Sequence, residues 1–217
     1  MMSCESLYAE SQCYGTTSKG KIEKSVKLPL RGKNYEVYST MLWGIGRTYV
    51  HSKVRDIWIK ALEKIQKEQP SYTYQYAETG FKDGGQFSPH KTHQNGLSVD
   101  VLVPVRDIKN KKQQKLPTNL RNKFGYDIDF NTSAQFKHLE IDFDALGLLI
   151  KTLVETAQKN NIKVWRVIFD PRLQPLLYQS KHGSWLQKNV LIPKKKSWVR
   201  HDDHIHIDFN VKCQPFH

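Results

Sequence analysis

Residues 201–210, HDDHIHIDFN, alternate polar and apolar side chains from His204 onward. Successive side chains of a β-strand point to opposite faces, so residues two apart lie on the same face. One face therefore carries His204, His206 and Asp208, and the opposite face carries only apolar side chains. This pattern predicts a strand over residues 204–210 that packs its apolar face into a core and presents two imidazoles side by side.

The other segments of the chain mix helical and strand patterns. Apolar residues at helical spacing predict a helix over residues 53–68, with Ser52 as its N-cap, and a second helix from about 143 to 159. Further runs predict strands at 35–38, 72–78, 97–103 and 163–169, and a short helix at 171–178. Because a regular βαβ rhythm is missing, the predicted fold class is α+β, a single domain with a central, largely antiparallel sheet flanked by helices.

Two segments give no clear structural pattern. Residues 1–32 are rich in Ser, Gly, Lys and Thr without periodicity, which predicts a loosely ordered N-terminal lead-in before a domain at 33–217. Residues 105–140 are charged and too weakly periodic for their elements to be assigned. The strand at 97–103 is expected to bury one face and to carry Asp100 on the other.

The chain is strongly basic. Lys and Arg outnumber Asp and Glu by 34 to 21, and the net charge of +13 favours an acidic partner such as nucleic acid, anionic lipid or cell-wall polymer. The densest basic runs, at 109–112 and 194–196, lie beside proline and polar residues rather than among stacking aromatics. Such runs are typical of solvated loops, so nucleic-acid binding is supported by charge alone and is not predicted.

No run of residues predicts a membrane span or a signal peptide. The longest apolar stretches fall short of the roughly 18 residues of a membrane helix, and the N-terminus lacks the apolar core of an export signal. We therefore expect a chain that either is cytosolic or has lost its export signal.

A His-x-His pair alone means little, since nine histidines in a chain of this length produce one by chance about one time in three. Support comes from residues 84–100, GGQFSPHKTHQNGLSVD, in which His93 precedes a strand and Asp100 lies on its polar face. Two histidines and one carboxylate leave a fourth tetrahedral position open, the pattern of catalytic rather than structural zinc. One histidine of the His-x-His pair can bind the metal while the other stands beside it.

These motifs resemble those of the zinc peptidases related to lysostaphin, D-alanyl-D-alanine carboxypeptidases and the hedgehog domain. His93 with Asp100 fits their His-x6-Asp element, and residues 204–206 fit their His-x-His element. The sequence most resembles the penicillin-insensitive murein endopeptidases, whose His-x-x-His-Gln-x-Gly-Leu-x-x-Asp and His-x-x-His-x-His patterns match residues 90–100 and 201–206. A weaker likeness covers most of the chain after the lead-in.

The resemblance implies an enzyme that hydrolyses the D-alanine to diaminopimelate cross-links of peptidoglycan, in the periplasm or outside the cell. It implies one Zn²⁺ per chain and roles for six residues: His93, Asp100 and His206 as metal ligands, His204 as catalytic base or transition-state stabiliser, and His90 and His201 as residues that line the substrate site. Three acidic residues nearby are expected to form hydrogen bonds or to support the ligands rather than to bind the metal themselves: Asp202, Asp203 and Asp208.

This chain departs from the family pattern at two points. Ser98 stands where the family often has an acidic residue, and three cysteines cannot complete the family's set of disulfides. We expect at most one disulfide, from Cys213 to Cys4 or Cys13, formed in an oxidising compartment.

Two other functions stay open, and the oligomeric state is left open as well. A carboxypeptidase of D,D or L,D specificity is less favoured, because those relatives usually carry a glutamate where this chain has His204. A zinc-stabilised binding module without turnover is also possible, although the presence of both His201 and His204 argues against it.

Overall fold

The computed structural model describes residues 9–118, 127–195 and 199–216. The described strands are, in chain order, β1 (Gln12–Gly15), β2 (Gly20–Glu23), β3 (Val26–Lys27), β4 (Tyr35–Val37), β5 (Tyr49–Val50), β6 (Tyr74–Tyr76), β7 (Ser98–Leu102), β8 (Val105–Asp107), β9 (Gln113–Gln114), β10 (Gln135–Phe136), β11 (Leu139–Ile141), β12 (Lys163–Ile168) and β13 (His204–Asn210). The described helices are α1 (Thr40–Gly44), α2 (Ser52–Glu68), α3 (Phe143–Lys159), α4 (Gln174–Tyr178) and α5 (Gly183–Asn189).

A five-stranded sheet in the order β12-β13-β7-β6-β4 forms the centre of the fold. Its neighbouring strands are antiparallel except for β4 and β6, which run parallel. β13 coincides with the strand predicted from its alternating pattern, and it pairs with β7 so that His206 lies opposite Asp100. The predicted α+β class, with one largely antiparallel sheet in a single domain, is confirmed.

The two long helices, α2 and α3, pack against each other, and α3 also contacts β12. Both helices were expected from their apolar spacing: α3 has the predicted bounds, and α2 buries the stripe that runs from Val54 to Ile65. Burying one such aliphatic side chain completely contributes roughly 1.5–3 kcal/mol relative to leaving it exposed. The stripe therefore fixes α2 against the core.

The predicted N-cap of α2, Ser52, is wrong. His51 caps the helix, and its Nδ1 accepts a hydrogen bond from Lys53 N at 3.2 Å. Ser52 Oγ instead accepts a hydrogen bond from Ser11 N at 3.1 Å. The Ser52 hydroxyl, which the local sequence predicts to cap the helix, is therefore hydrogen-bonded to the N-terminal segment instead.

The N-terminal segment is ordered where the structure describes it. β1 and β2 form a hairpin, and β3 pairs with β5, so the expectation of loose order is wrong for these residues. Cys13 forms a disulfide with Cys213, 200 residues away, which confirms one of the two expected pairings. Cys4 lies outside the described residues, and the division of the chain at residue 32 stays a prediction.

The segment that the sequence left unassigned contains a second sheet, in the order β10-β11-β8-β9. Its strands are only two or three residues long, too short for an alternating pattern to be recognised. Residues 119–126, in the middle of this segment, lie outside the described ranges.

Two smaller expectations are corrected. β7 was expected to bury one face, but it is buried on both. Side chains from loops and strands cover the face that carries Asp100 as well as the apolar face. The short helix expected over 171–178 begins at Gln174, with Pro175 in its first turn. Across the described ranges, none of the helices combines the length and apolar character needed to cross a membrane.

Candidate active site

The structure brings all six of the predicted site residues together on the polar face of β7 and β13 and on the loops that precede these two strands. The ring centroids are separated by 4.9 Å for His90 and His93, 4.7 Å for His93 and His206, 4.7 Å for His201 and His204, and 6.3 Å for His201 and His206. The antiparallel pairing places Asp100 directly opposite His206 in this group.

Close backbone packing positions the loop that carries His93. His93 has a φ of 69°, which is uncommon for a residue other than glycine. A Cβ on Gly80 would lie 2.8 Å from His93 O, and one on Gly84 would lie 2.2 Å from Gln94 O. The glycines therefore permit an approach that side chains would block, and Gln94 N also donates to Thr17 O of the β1–β2 turn at 3.0 Å.

Asp100 lies at the centre of the site. Its Oδ1 lies 2.8 Å from His206 Nδ1, and its Oδ2 lies 3.2 Å from His93 Nε2 and 3.8 Å from His90 Nδ1. Both Asp100 and His93 are almost completely buried. Three imidazole nitrogens therefore face one carboxylate that is screened from water.

The second nitrogen of each of these three imidazoles has an outer partner. His93 Nδ1 donates to Thr79 O at 3.2 Å. His206 Nε2 lies 2.8 Å from Asp208 Oδ1, and His90 Nε2 lies 2.7 Å from Glu78 Oε2. Histidines that bind metals are usually oriented by such contacts from the nitrogen that does not face the metal.

The buried Nε2 of His93 has no hydrogen-bond partner, since its 3.2 Å approach to Asp100 lacks the alignment of a hydrogen bond. A buried polar atom without a partner is costly and rare. One nitrogen from each of His90 and His93 and one Asp100 oxygen lie within 4.8 Å of one another and could hold a metal ion. Tetrahedral zinc, with ligand distances of about 2.1 Å, separates its ligand atoms by roughly 3.4 Å. The donor set therefore fits a metal.

Charge in the site also favours a cation. Burial opposes the ionisation of Asp100, but His93 and His206 hold its pKa well below the usual range. Burial likewise opposes protonation of His206, but Asp208 and Asp100 raise its pKa to about 10. The two carboxylates thus favour positive charge between them. Burial, helped by the charges of His206 and His90, lowers the pKa of His93 despite the opposing effect of Asp100, which favours the neutral form of His93 that binds metals.

A second histidine–carboxylate pair lies beside this cluster. His204 Nδ1 donates to Asp203 Oδ1 at 2.9 Å; burial opposes the charged imidazole, yet Asp203 raises the pKa of His204 to about 9. His201 Nδ1 donates to Val199 O at 2.8 Å, and burial, followed by the neighbouring His204, lowers its pKa to about 3. Asp203 and Asp208 thus form hydrogen bonds with site histidines. Asp202 instead accepts hydrogen bonds from Phe130 N and Arg200 Nε.

Sequence reasoning missed Glu78 and its partner Arg47. Glu78 forms an ion pair with Arg47 as well as the contact to His90 described above, and Arg47 Nη2 donates to Ser88 O at 2.9 Å. Burial opposes ionisation of Glu78, but His90 and Arg47 lower its pKa. No motif in the sequence marks this pair, because its members lie on different segments and meet only in the fold.

Two comparisons relate the sequence of this chain to known proteins. The family model for penicillin-insensitive murein endopeptidases matches residues 13–215. The chain is also similar to the penicillin-insensitive murein endopeptidase of Pectobacterium atrosepticum, with 26% identity over 208 residues. That match covers 93% of this chain and 65% of the relative, so the chain spans just under two thirds of that protein's length.

Proposed function

This chain belongs to the penicillin-insensitive murein endopeptidase family, and from that premise we propose that it is a zinc-dependent hydrolase of peptidoglycan. The bond cleaved is the peptide cross-link between D-alanine and diaminopimelate. The observation that carries the proposal is the buried, unpartnered Nε2 of His93 facing the central carboxylate of Asp100. That arrangement supports a metal-binding role better than a purely structural one.

His93, Asp100 and His206 are the proposed ligands of one Zn²⁺ per chain. His206 is favoured over His90 as the third ligand because its Nδ1 lies 2.8 Å from an Asp100 oxygen, against 3.8 Å for His90 Nδ1. His206 also stands directly opposite Asp100 in the sheet. Bound zinc supplies Lewis acidity, which polarises a carbonyl and makes water more acidic.

His204 is the proposed catalytic residue. The contact with Asp203 occupies its Nδ1 and fixes the ring, which leaves Nε2 as the atom for chemistry. From that position Nε2 can accept the proton of the attacking water or donate a hydrogen bond to the tetrahedral oxyanion. His201, whose ring is tilted against that of His204, and His90 complete the wall of the proposed substrate site.

The surroundings of the site support an anionic peptide as substrate. Lys91 lines the same depression as His204 and His206, and the free carboxylates of cross-linked stem peptides would be attracted to this cation. The disulfide between Cys13 and Cys213 supports a periplasmic or secreted location, because such bonds persist in oxidising compartments.

The test combines metal content with identification of released muropeptides by mass spectrometry. We expect His206→Ala to lose zinc and activity together, because two protein ligands rarely hold catalytic zinc tightly. His204→Ala should keep close to one zinc per chain and lose activity by roughly a hundredfold or more. His90→Ala should keep its zinc, and His138→Ala, at an exposed position outside the site, serves as the control.

Each competing function gives a different result in this assay. Release of terminal D-alanine without cleavage of cross-links would assign a carboxypeptidase instead. Stoichiometric zinc without turnover on purified peptidoglycan would assign a binding module. A metal-free His204→Ala protein, or a His206→Ala protein with full zinc content, would overturn the proposed ligands.

A further inference from the structure

A polar groove adjoins the candidate site at the edge of the central sheet. The groove is lined by the threonine and serine side chains of the β1–β2 turn and also by Asn95 and Asn210. Trp165 of the edge strand β12 lies beside them. Thr92 and Arg166 line both this groove and the depression that contains His204 and His206. A ligand in the groove would therefore be continuous with one in the site.

Trp165 is placed in the groove by an irregularity of β12. The pairing with β13 shifts register between Val164 and Arg166, so Trp165 is the extra, unpaired residue of a β-bulge. Bulges redirect side chains and are frequent next to active sites. Trp165 is 50% exposed, which is unusual for the largest side chain of a strand in a central sheet.

The orientation of the Trp165 ring is fixed from one side. The guanidinium carbon of Arg166 lies 4.2 Å from the ring centroid. Arg166 is itself held by Asp208, whose Oδ2 accepts a hydrogen bond from its Nε at 2.7 Å. Since one ring face contacts a restrained guanidinium, the exposed part of the indole is a pre-organised apolar surface for a ligand.

The chemistry of the groove favours an uncharged, hydroxylated ligand. Of the described residues that line it, only Arg166 carries a charge, and Asp208 pairs with that charge. Thr16, Ser18 and Asn210 line the groove with exposed side chains. Their hydroxyl and amide groups can donate hydrogen bonds to a ligand hydroxyl or amide and accept hydrogen bonds from it.

We propose that this groove, with Trp165 as its platform, binds the N-acetylated sugars of the glycan strand whose peptide stems enter the adjacent site. The apolar C–H face of a pyranose ring stacks on an indole, while its hydroxyl and acetamido groups bind threonine, serine and asparagine. Stem peptides fit less well, because their carboxylates and amines require charged partners. The groove volume of about 480 Å³ lies within the range of about 300–1,000 Å³ for small-ligand sites. This inference rests on the proposed function for the identity of the strand.

The first test measures binding of short N-acetylglucosamine oligomers to the full chain by NMR, followed at the signals of the oligomer so that every variant can be compared. Trp165→Ala should weaken binding roughly tenfold or more, the scale for truncating a tryptophan anchor. Trp165→Phe, which keeps an aromatic face, should retain most of the affinity. Ile45→Ala, at another exposed apolar position that does not line the groove, is the control.

The second test compares hydrolysis of intact peptidoglycan with hydrolysis of cross-linked peptides freed of glycan. In Trp165→Ala the ratio of the two rates should fall by about the same factor as the oligomer affinity. Equal oligomer binding by wild type and Trp165→Ala, or an unchanged rate ratio, would overturn the proposal. If wild type cleaves neither substrate but binds oligomers at Trp165, the proposed function fails while the sugar site stands.

Discussion

Replacing Asp208 with asparagine tests whether the outer partner of His206 sets the affinity for metal. Asp208 is fully buried, its Oδ1 lies 2.8 Å from His206 Nε2, and the same oxygen accepts from Ser98 Oγ at 2.6 Å. The asparagine of Asp208→Asn keeps the shape and can still accept from the imidazole. It lacks the negative charge that makes the opposite nitrogen, Nδ1, a better ligand.

The magnitude follows from the contact that changes. A hydrogen bond to a charged group contributes about 1.5–3 kcal/mol, and a neutral one about 0.5–1.5 kcal/mol. The difference of about 1–1.5 kcal/mol corresponds to roughly tenfold weaker zinc binding, the low end of the range for losing such partners. Competition with a chelator of known affinity measures this change, and turnover at saturating zinc should recover most of the activity.

Asp203→Asn is the matched control, since Asp203 makes the equivalent contact to His204, the proposed catalytic residue, at 2.9 Å. We expect this variant to bind zinc as wild type does and to lose turnover even when zinc is saturating. Unchanged zinc affinity in Asp208→Asn, or a larger loss of affinity in Asp203→Asn, would refute the division of roles between the two pairs.

Three other perturbations test the scaffold of the site. Reducing the Cys13–Cys213 disulfide should lower the free energy of unfolding by about 5 kcal/mol, from the chain entropy of a loop of 200 residues, and thermal unfolding with and without reductant measures this. Burial and the nearby Lys53 lower the pKa of His51 to about 4. The neutral His51 cap therefore makes its full contribution to the free energy of unfolding above about pH 6.5, and this contribution is lost as the pH falls toward 4. His51→Asn should therefore lose less stability than wild type over that pH range, by on the order of 3 kcal/mol, in denaturant titrations. Gly80→Ala should displace the His93 loop and weaken zinc binding, whereas Gly44→Ala, whose Cβ meets nothing within 4 Å and whose backbone is not left-handed, should leave zinc binding close to wild type.

The elements that the sequence predicts well are those whose signal lies within one strand or helix. The alternation over residues 204–210 and the apolar stripes of α2 and α3 each repeat several times, and burial in one core enforces the repeat. The strands β8 to β11 are too short to repeat a pattern. Their positions depend on pairing between separate segments of the chain, and the periodicity of a single segment carries no information about that pairing.

The site likewise contains features that the sequence predicts and features that it does not. Its histidines and Asp100 stand in recognisable motifs, but the contacts that orient them come from elsewhere in the chain. Thr79 contributes a backbone carbonyl, which any residue type could supply, and Glu78 is joined to His90 only by the fold. Ser52 illustrates the opposite error, since a good local capping residue is used by Ser11, 41 residues away.

The different roles proposed for His204 and His206 follow from strand register rather than from residue type. Both imidazoles share one face of β13 and each contacts a carboxylate, yet His206 lies opposite Asp100 and His204 lies opposite the apolar Leu102. Of the two histidines, only His206 therefore faces a second carboxylate, that of Asp100, on the neighbouring strand. A residue that binds the same metal as Asp100 must lie this close to it. A shift of two residues in the pairing of β13 with β7 would keep every side chain on its face and place His204 opposite Asp100 instead. The register that burial of Ile205, Ile207 and Phe209 helps to maintain thus separates the proposed ligand, His206, from the proposed catalytic residue, His204.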